Sequence, residues 1–186
     1  MAATGKGIRR VVTVHAADGT AVVLSDGIAS NVRTRSSGIS ATLVWTTDSI
    51  PATYSNDDRG AVQIGTGPPP KHTALRVVEF PPHNEAPAEE NTAVLAEMGI
   101  APPSGERLPP RHPHMHATDS VDYAIVLEGE IDMLLDDTEV HCKAGDVLVQ
   151  QATNHAWVNN SGKPCRIAFI LIDGKTPPAW SKGWKP

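Results

Sequence analysis

Aromatic side chains are scarce in this 186-residue chain, at 4% of its residues. Any core must therefore be filled mainly by valine, isoleucine, leucine and alanine. Cysteine is scarcer still. Cys142 and Cys165 are the only two; they sit in strand-like runs without metal-ligand spacing and read as buried free thiols rather than a disulfide. No apolar run approaches the ~20 residues that cross a bilayer. The opening MAATGKGIRRVV lacks the apolar centre of a secretion signal, so a soluble cytoplasmic protein is the expectation. There is no basic stripe either, and a formal net charge of −5 makes nucleic acid a poor partner. What the chain has in quantity is turn-formers, 15 glycines and 16 prolines. They leave little room for long helices and favour an all-β fold.

The length suits one domain with a proper core. Strand-like runs are expected over residues 9–15, 21–24, 39–47, 73–80, 121–127, 131–135, 138–143, 147–151, 155–159 and 165–172. Asp18-Gly19 between the first two is a strong hairpin signal. Residues 25–37 read as polar and irregular, 48–73 as a long surface connection, and 91–98 as a single helix ended by Gly99. The Pro-rich stretch 100–110 reads as a connector or a lid. The near-continuous apolar run 165–172 calls for burial on both faces. The organisation expected is N-terminal strands and a long loop over 1–73, a β-barrel core over 74–173, and an extended tail over 174–186.

The chemistry concentrates in RHPHMHATDSVDYAIVLEGE, residues 111–130. His114 and His116 alternate, and alternate residues of an extended segment share a face, so two imidazoles can address one point. Pro113 disfavours a helix there. Asp122 follows six residues later, ~20 Å away on a straight strand, so the polar run 117–120 must turn the chain back. Beyond it, Asp122, Ala124 and Val126 share one face. Asp119 is the rival acid, and its alternative role is to cap its own turn. Downstream, a turn over 151–154 precedes His155, a third imidazole opposite the first pair. Three histidines and one carboxylate suit a single divalent transition ion (Fe, Mn, Ni, Co, Cu or Zn) without choosing among them. His112 precedes Pro113 and reads as a rim group. His15, His72, His83 and His141 read as exposed or packing residues.

These two segments resemble the paired motifs of the cupin superfamily. His114, His116, Asp122 and Gly129 follow its first motif, with Asp in place of Glu and one residue later. Gly145, His155 and Asn159 follow the second, with Gln151 and Thr153 where the family has Pro and Gly. The resemblance extends over roughly 74–173 and implies a single jelly-roll β-barrel with His114, His116, Asp122 and His155 on the metal. It also implies an enzyme acting on a small oxygenated molecule, with oxygenase-type chemistry preferred over lyase, decarboxylase or isomerase chemistry. A non-catalytic ligand-binding cupin is the alternative of another class. The family's habits also imply a homodimer paired through its sheets. Gln151 and Tyr123 are the further candidates for contact with substrate; each has a structural alternative, as turn and packing residue. Arg76 and Arg111 can receive a carboxylate, although most arginines are solvated surface. The apolar face of residues 122–126 points to a narrow pocket for something small and not heavily charged.

Overall fold

A computed structural model describes residues 7–83, 95–99 and 111–175. It contains eleven strands. They are β1 (Arg9–His15), β2 (Ala21–Ile28), β3 (Val32–Thr34), β4 (Ser40–Thr47), β5 (Thr73–Phe80), β6 (Ser120–Glu128), β7 (Glu130–Leu134), β8 (Glu139–Lys143), β9 (Val147–Gln151), β10 (Ala156–Val158) and β11 (Cys165–Asp173). They form a six-stranded sheet in the order β3-β4-β5-β11-β6-β9, a three-stranded sheet β10-β7-β8, and a two-stranded ribbon β1-β2. The fold is all-β with two facing sheets of the jelly-roll kind, rather than one closed ring of strands.

One core joins the two larger sheets. Val78, Phe80, Ala124, Val126 and Ile167 come from the first, and Ile131, Met133, Cys142 and Trp157 from the second. Alternation accounts for the inner faces. In β6 Asp122, Ala124 and Val126 are 5%, 0% and 1% exposed, while Tyr123 between them is 40% exposed. The apolar strand β11 lies between β5 and β6 and is paired on both edges. Cys165, Ile167, Ala168 and Leu171 are buried and its other positions half-buried, so the expected burial on both faces is only partial. Cys142 and Cys165 are buried free thiols in this core, and burial pushes the Cys165 thiol up to about 11.

Several expectations are corrected. The segment expected to be irregular, 25–37, continues β2 to Ile28 and adds β3. The ribbon is a sheet of its own and does not extend the others; only β3 and β4 of the N-terminal strands do. Its hairpin turns at Gly19, at φ 84°, a conformation that favours glycine. Of the expected helix, Leu95 to Glu97 are helical and Gly99 has φ 72° at its end; its start lies outside the described residues, as do 100–110 and the tail beyond 175. No helix among the described residues is long and apolar enough to cross a membrane.

Candidate metal and substrate pocket

His114 and His116 are not on a strand. Residues 112–115 form a turn closed by the Met115 N–H donating to the His112 carbonyl at 3.0 Å, because Pro113 fixes its φ and offers no N–H to a ladder. The two-residue alternation survives in effect. Met115 is buried at 3% exposure, while the rings on either side of it line a common pocket. His116 then meets His155 through an isolated antiparallel bridge, each N–H donating to the other's carbonyl at 2.9 Å. That bridge sets the two imidazoles 4.4 Å apart, centroid to centroid.

The pocket is a cavity of about 90 Å³ between the sheets, and His114, His116, Asp122 and His155 all line it. Trp157, Phe80 and Phe169 wall it, with Trp157 5.6 Å from Phe169 and 6.5 Å from Phe80 in tilted or edge-on contacts. Asp122, rather than the exposed Asp119, is the acid in the pocket. Asn159 of the second motif closes a turn instead: its Nδ2 donates to the carbonyls of Phe80 and Lys163 at 2.9 and 2.7 Å.

The donor atoms are prepared to different degrees. The Nδ1–H of His116 donates to the His114 carbonyl at 2.8 Å, which leaves the lone pair at Nε2. His114 Nε2 and Asp122 Oδ1 are buried without a hydrogen-bond partner, and such atoms are costly unless something else meets them. His155 Nδ1 lies 3.0 Å from the Thr153 carbonyl and 2.7 Å from Gln150 Nε2. Gln150 Nε2 also lies 3.3 Å from His155 Nε2. Donation from Nδ1–H to the Thr153 carbonyl leaves Nε2 unprotonated and able to accept from Gln150 or to bind an ion. The four donors share the pocket without converging. Among the described residues no three His, Cys, Asp or Glu side chains lie close enough to hold an ion as they stand.

Two residues expected in the pocket are elsewhere. Tyr123 points out of the opposite face of β6, and Gln151 is exposed at the end of β9. Both follow from parity: β9 pairs Asp122 with Gln150, so Gln150, 4% exposed, faces inward and its neighbour outward. The same alternation was visible in VLVQQ and identifies the glutamine that matters. Arg111 is also displaced from the site, donating to the carbonyls of Leu135 and Thr138 and reaching Glu139. Arg76 does line the pocket, as does Arg35, which no sequence signal marked. The pocket is therefore more polar than the apolar face of residues 122–126 led one to expect. His83, read as an exposed or packing residue, packs on His112 at 5.6 Å, and His112 packs on His114 at 4.8 Å.

Burial holds these imidazoles neutral, the form that binds metal. Desolvation, then His116, pushes His155 down to about 3. Desolvation, then His114 and His83, pushes His112 down to about 4. Desolvation pushes Asp122 up to about 6, against a hydrogen bond from Ser120. In metal-free protein the two histidines support the fold fully above pH 6.5, their unfolded value. They lose that support as pH falls towards their folded values. Asp122 acts oppositely between about 6 and its unfolded 3.8. His114 and His116 are lowered by burial as well, so over this range the unfolded chain takes up more protons than the fold, against the single opposing proton of Asp122. Stability should therefore fall as pH drops from 6 to 4. Urea unfolding of chelator-treated protein at pH 7, 6, 5 and 4 checks this; a flat or rising profile contradicts it.

Comparison with known proteins places this geometry. The Cupin domain model matches residues 100–172. The phomopsin biosynthesis cluster protein C' of Diaporthe leptostromiformis is 45% identical over 75 residues, 39% of this chain and 36% of that protein. The cupin-domain-containing oxidoreductase fogC of Aspergillus ruber is 28% identical over 179 residues, 90% of this chain and 74% of its own length. The cupin-domain-containing oxidoreductase srdD of Neurospora crassa is 40% identical over 65 residues, 33% of each. The chain thus spans about a third of the length of the phomopsin cluster protein that it matches. Among solved structures, a putative ethanolamine utilization protein Q from Salmonella typhimurium aligns over 92% of this chain and 100% of its own. Its TM-score is 0.44 at 10% identity. Residues 100–172, which carry both histidine segments and Asp122, are the part of the chain that matches the Cupin domain model.

Proposed function

We propose that the pocket is the reaction site of a metal-dependent cupin oxidoreductase of oxygenase type, acting on a small oxygenated organic molecule. The observation that carries the proposal is the gathering of three imidazoles and one carboxylate on a single cavity, with His114 Nε2 and Asp122 Oδ1 buried and unpartnered. The names of fogC and srdD as cupin-domain-containing oxidoreductases support the reaction class. His114, His116 and His155 would hold the ion through Nε2, with Asp122 as the acidic ligand. Side-chain rotation has to bring them together, since they share the pocket without converging. A redox-active divalent ion bound there supplies Lewis acidity and an electron couple. The protein's own part is to keep the rings neutral by burial, to orient His116 from the His114 carbonyl, and to keep bulk water out behind Phe80, Trp157 and Phe169.

The second reading is a non-catalytic cupin that binds a small ligand, and the absence of three converging donors among the described residues favours it. Metal analysis of protein purified without an affinity tag separates the two. Near-stoichiometric iron, manganese, nickel, cobalt or copper is the expected result. Stoichiometric zinc would move the reaction to the lyase, decarboxylase or isomerase class, and protein that neither retains nor takes up metal would leave the binding module.

A further inference from the structure

Arg76 stands where a core residue belongs. It lies on the inner face of β5, aligned with Leu43 of β4 and Phe169 of β11, and is 8% exposed. A buried guanidinium is costly unless hydrogen bonds and a counter-charge meet it. One NH2 group of Arg76 donates to the Gly65 carbonyl, but its Nε is buried without a partner. The half-buried Arg35 lines the same cavity and donates to Thr66 Oγ1 at 3.3 Å. Adjacent residues of one loop therefore hold two like charges at one pocket. The carboxylate that acts on Arg35 is Glu97, and among the described residues neither arginine forms an ion pair within 4.0 Å. Asp122 does not neutralise Arg76: it stands two strands and two residues away, ~12 Å at the Cα atoms by strand spacing.

We infer that Arg76, with Arg35 beside it, is an anion subsite, and that the pocket takes a small planar carboxylic acid. The carboxylate lies against the two guanidiniums, whose planar forks suit it. The ring or conjugated chain lies against Phe80, Trp157 and Phe169, and the far end reaches the histidines. The inference deepens the proposed function and rests on its placement of the reacting end. A ligand carboxylate would supply the counter-charge and an acceptor for the orphaned Nε.

The probe is sodium benzoate, with benzamide as its neutral counterpart, titrated calorimetrically into the full chain. Benzoate is expected to bind at least tenfold tighter than benzamide. Arg76→Gln should remove that preference while benzamide affinity and metal content stay unchanged. Equal binding of the two probes, binding of neither, or a folded Arg76→Gln protein that still prefers benzoate overturns the subsite. Should Arg76→Gln fail to fold, Arg35→Gln carries the test at the half-buried position. A threefold or greater loss of benzoate affinity supports the inference, and unchanged affinity overturns it. Protein that selects benzoate through Arg76 yet takes up no metal keeps the subsite and removes the metal-dependent reading. Metal-loaded protein indifferent to benzoate does the reverse.

Discussion

His116→Ala is expected to weaken metal retention by roughly 100-fold or more, enough for the protein to purify metal-free, while the fold persists. His116 is the best prepared of the three imidazoles: its Nδ1–H is committed to the His114 carbonyl, so its Nε2 is the free donor. The substitution removes the ring but keeps both main-chain hydrogen bonds of the His116–His155 bridge, so the loss should be one of ligation and not of architecture. Tyr123→Phe and Gln151→Ala, on the outer surface, should keep metal content within error. Elemental analysis of the three variants beside the parent, with thermal melts to establish folding, decides the matter. Full retention by folded His116→Ala would exclude this residue as a ligand. Loss in Gln151→Ala would show that the pocket extends beyond its described walls.

The largest expected effect on stability is at Gly129, between β6 and β7. This glycine has φ 78°, and a Cβ built on it would come within 2.6 Å of the Pro164 carbonyl oxygen and 3.0 Å of Cys165 Cα. Both obstacles are backbone, and Cys165 is fully buried, so neither can swing aside. A left-handed conformation costs a residue with a side chain about 1–2 kcal/mol, and overpacking adds typically 1–3. Gly129→Ala should therefore destabilise the protein by ~2–5 kcal/mol in chemical denaturation, against a few tenths for Gly27→Ala, whose Cβ meets nothing within 4 Å. A loss below ~1 kcal/mol would mean that the corner relaxes. The glycine of the first motif would then owe its position to something other than this close approach.

Much of the fold was legible because alternation and turn chemistry are local. Residues 73–80 and 147–151 were bounded as the structure has them, since proline or turn residues stop them at both ends. The stretch 25–37 was not legible: β3 is three residues long, 32–34, and owes its existence to pairing with β4, a partner that local patterning does not reveal. In the site, His114, His116, His155 and Asp122 were chosen by spacing and do line one pocket. Gln151 is a candidate by its nearness in sequence to His155, but strand parity turns Gln150 inward instead.

By itself the sequence determined an all-β chain punctuated by proline and glycine, the cupin motifs, and the residue types able to meet at one place. Tertiary structure alone decided which glutamine touches His155 and that two arginines enter the cavity. The physical reason is one of range. Periodicity states which residues share a face of one strand, whereas a pocket is made by faces of different strands. Arg35 and Arg76, 41 positions apart in the chain, meet only because the sheet and the loop at Gly65 and Thr66 bring them to one cavity.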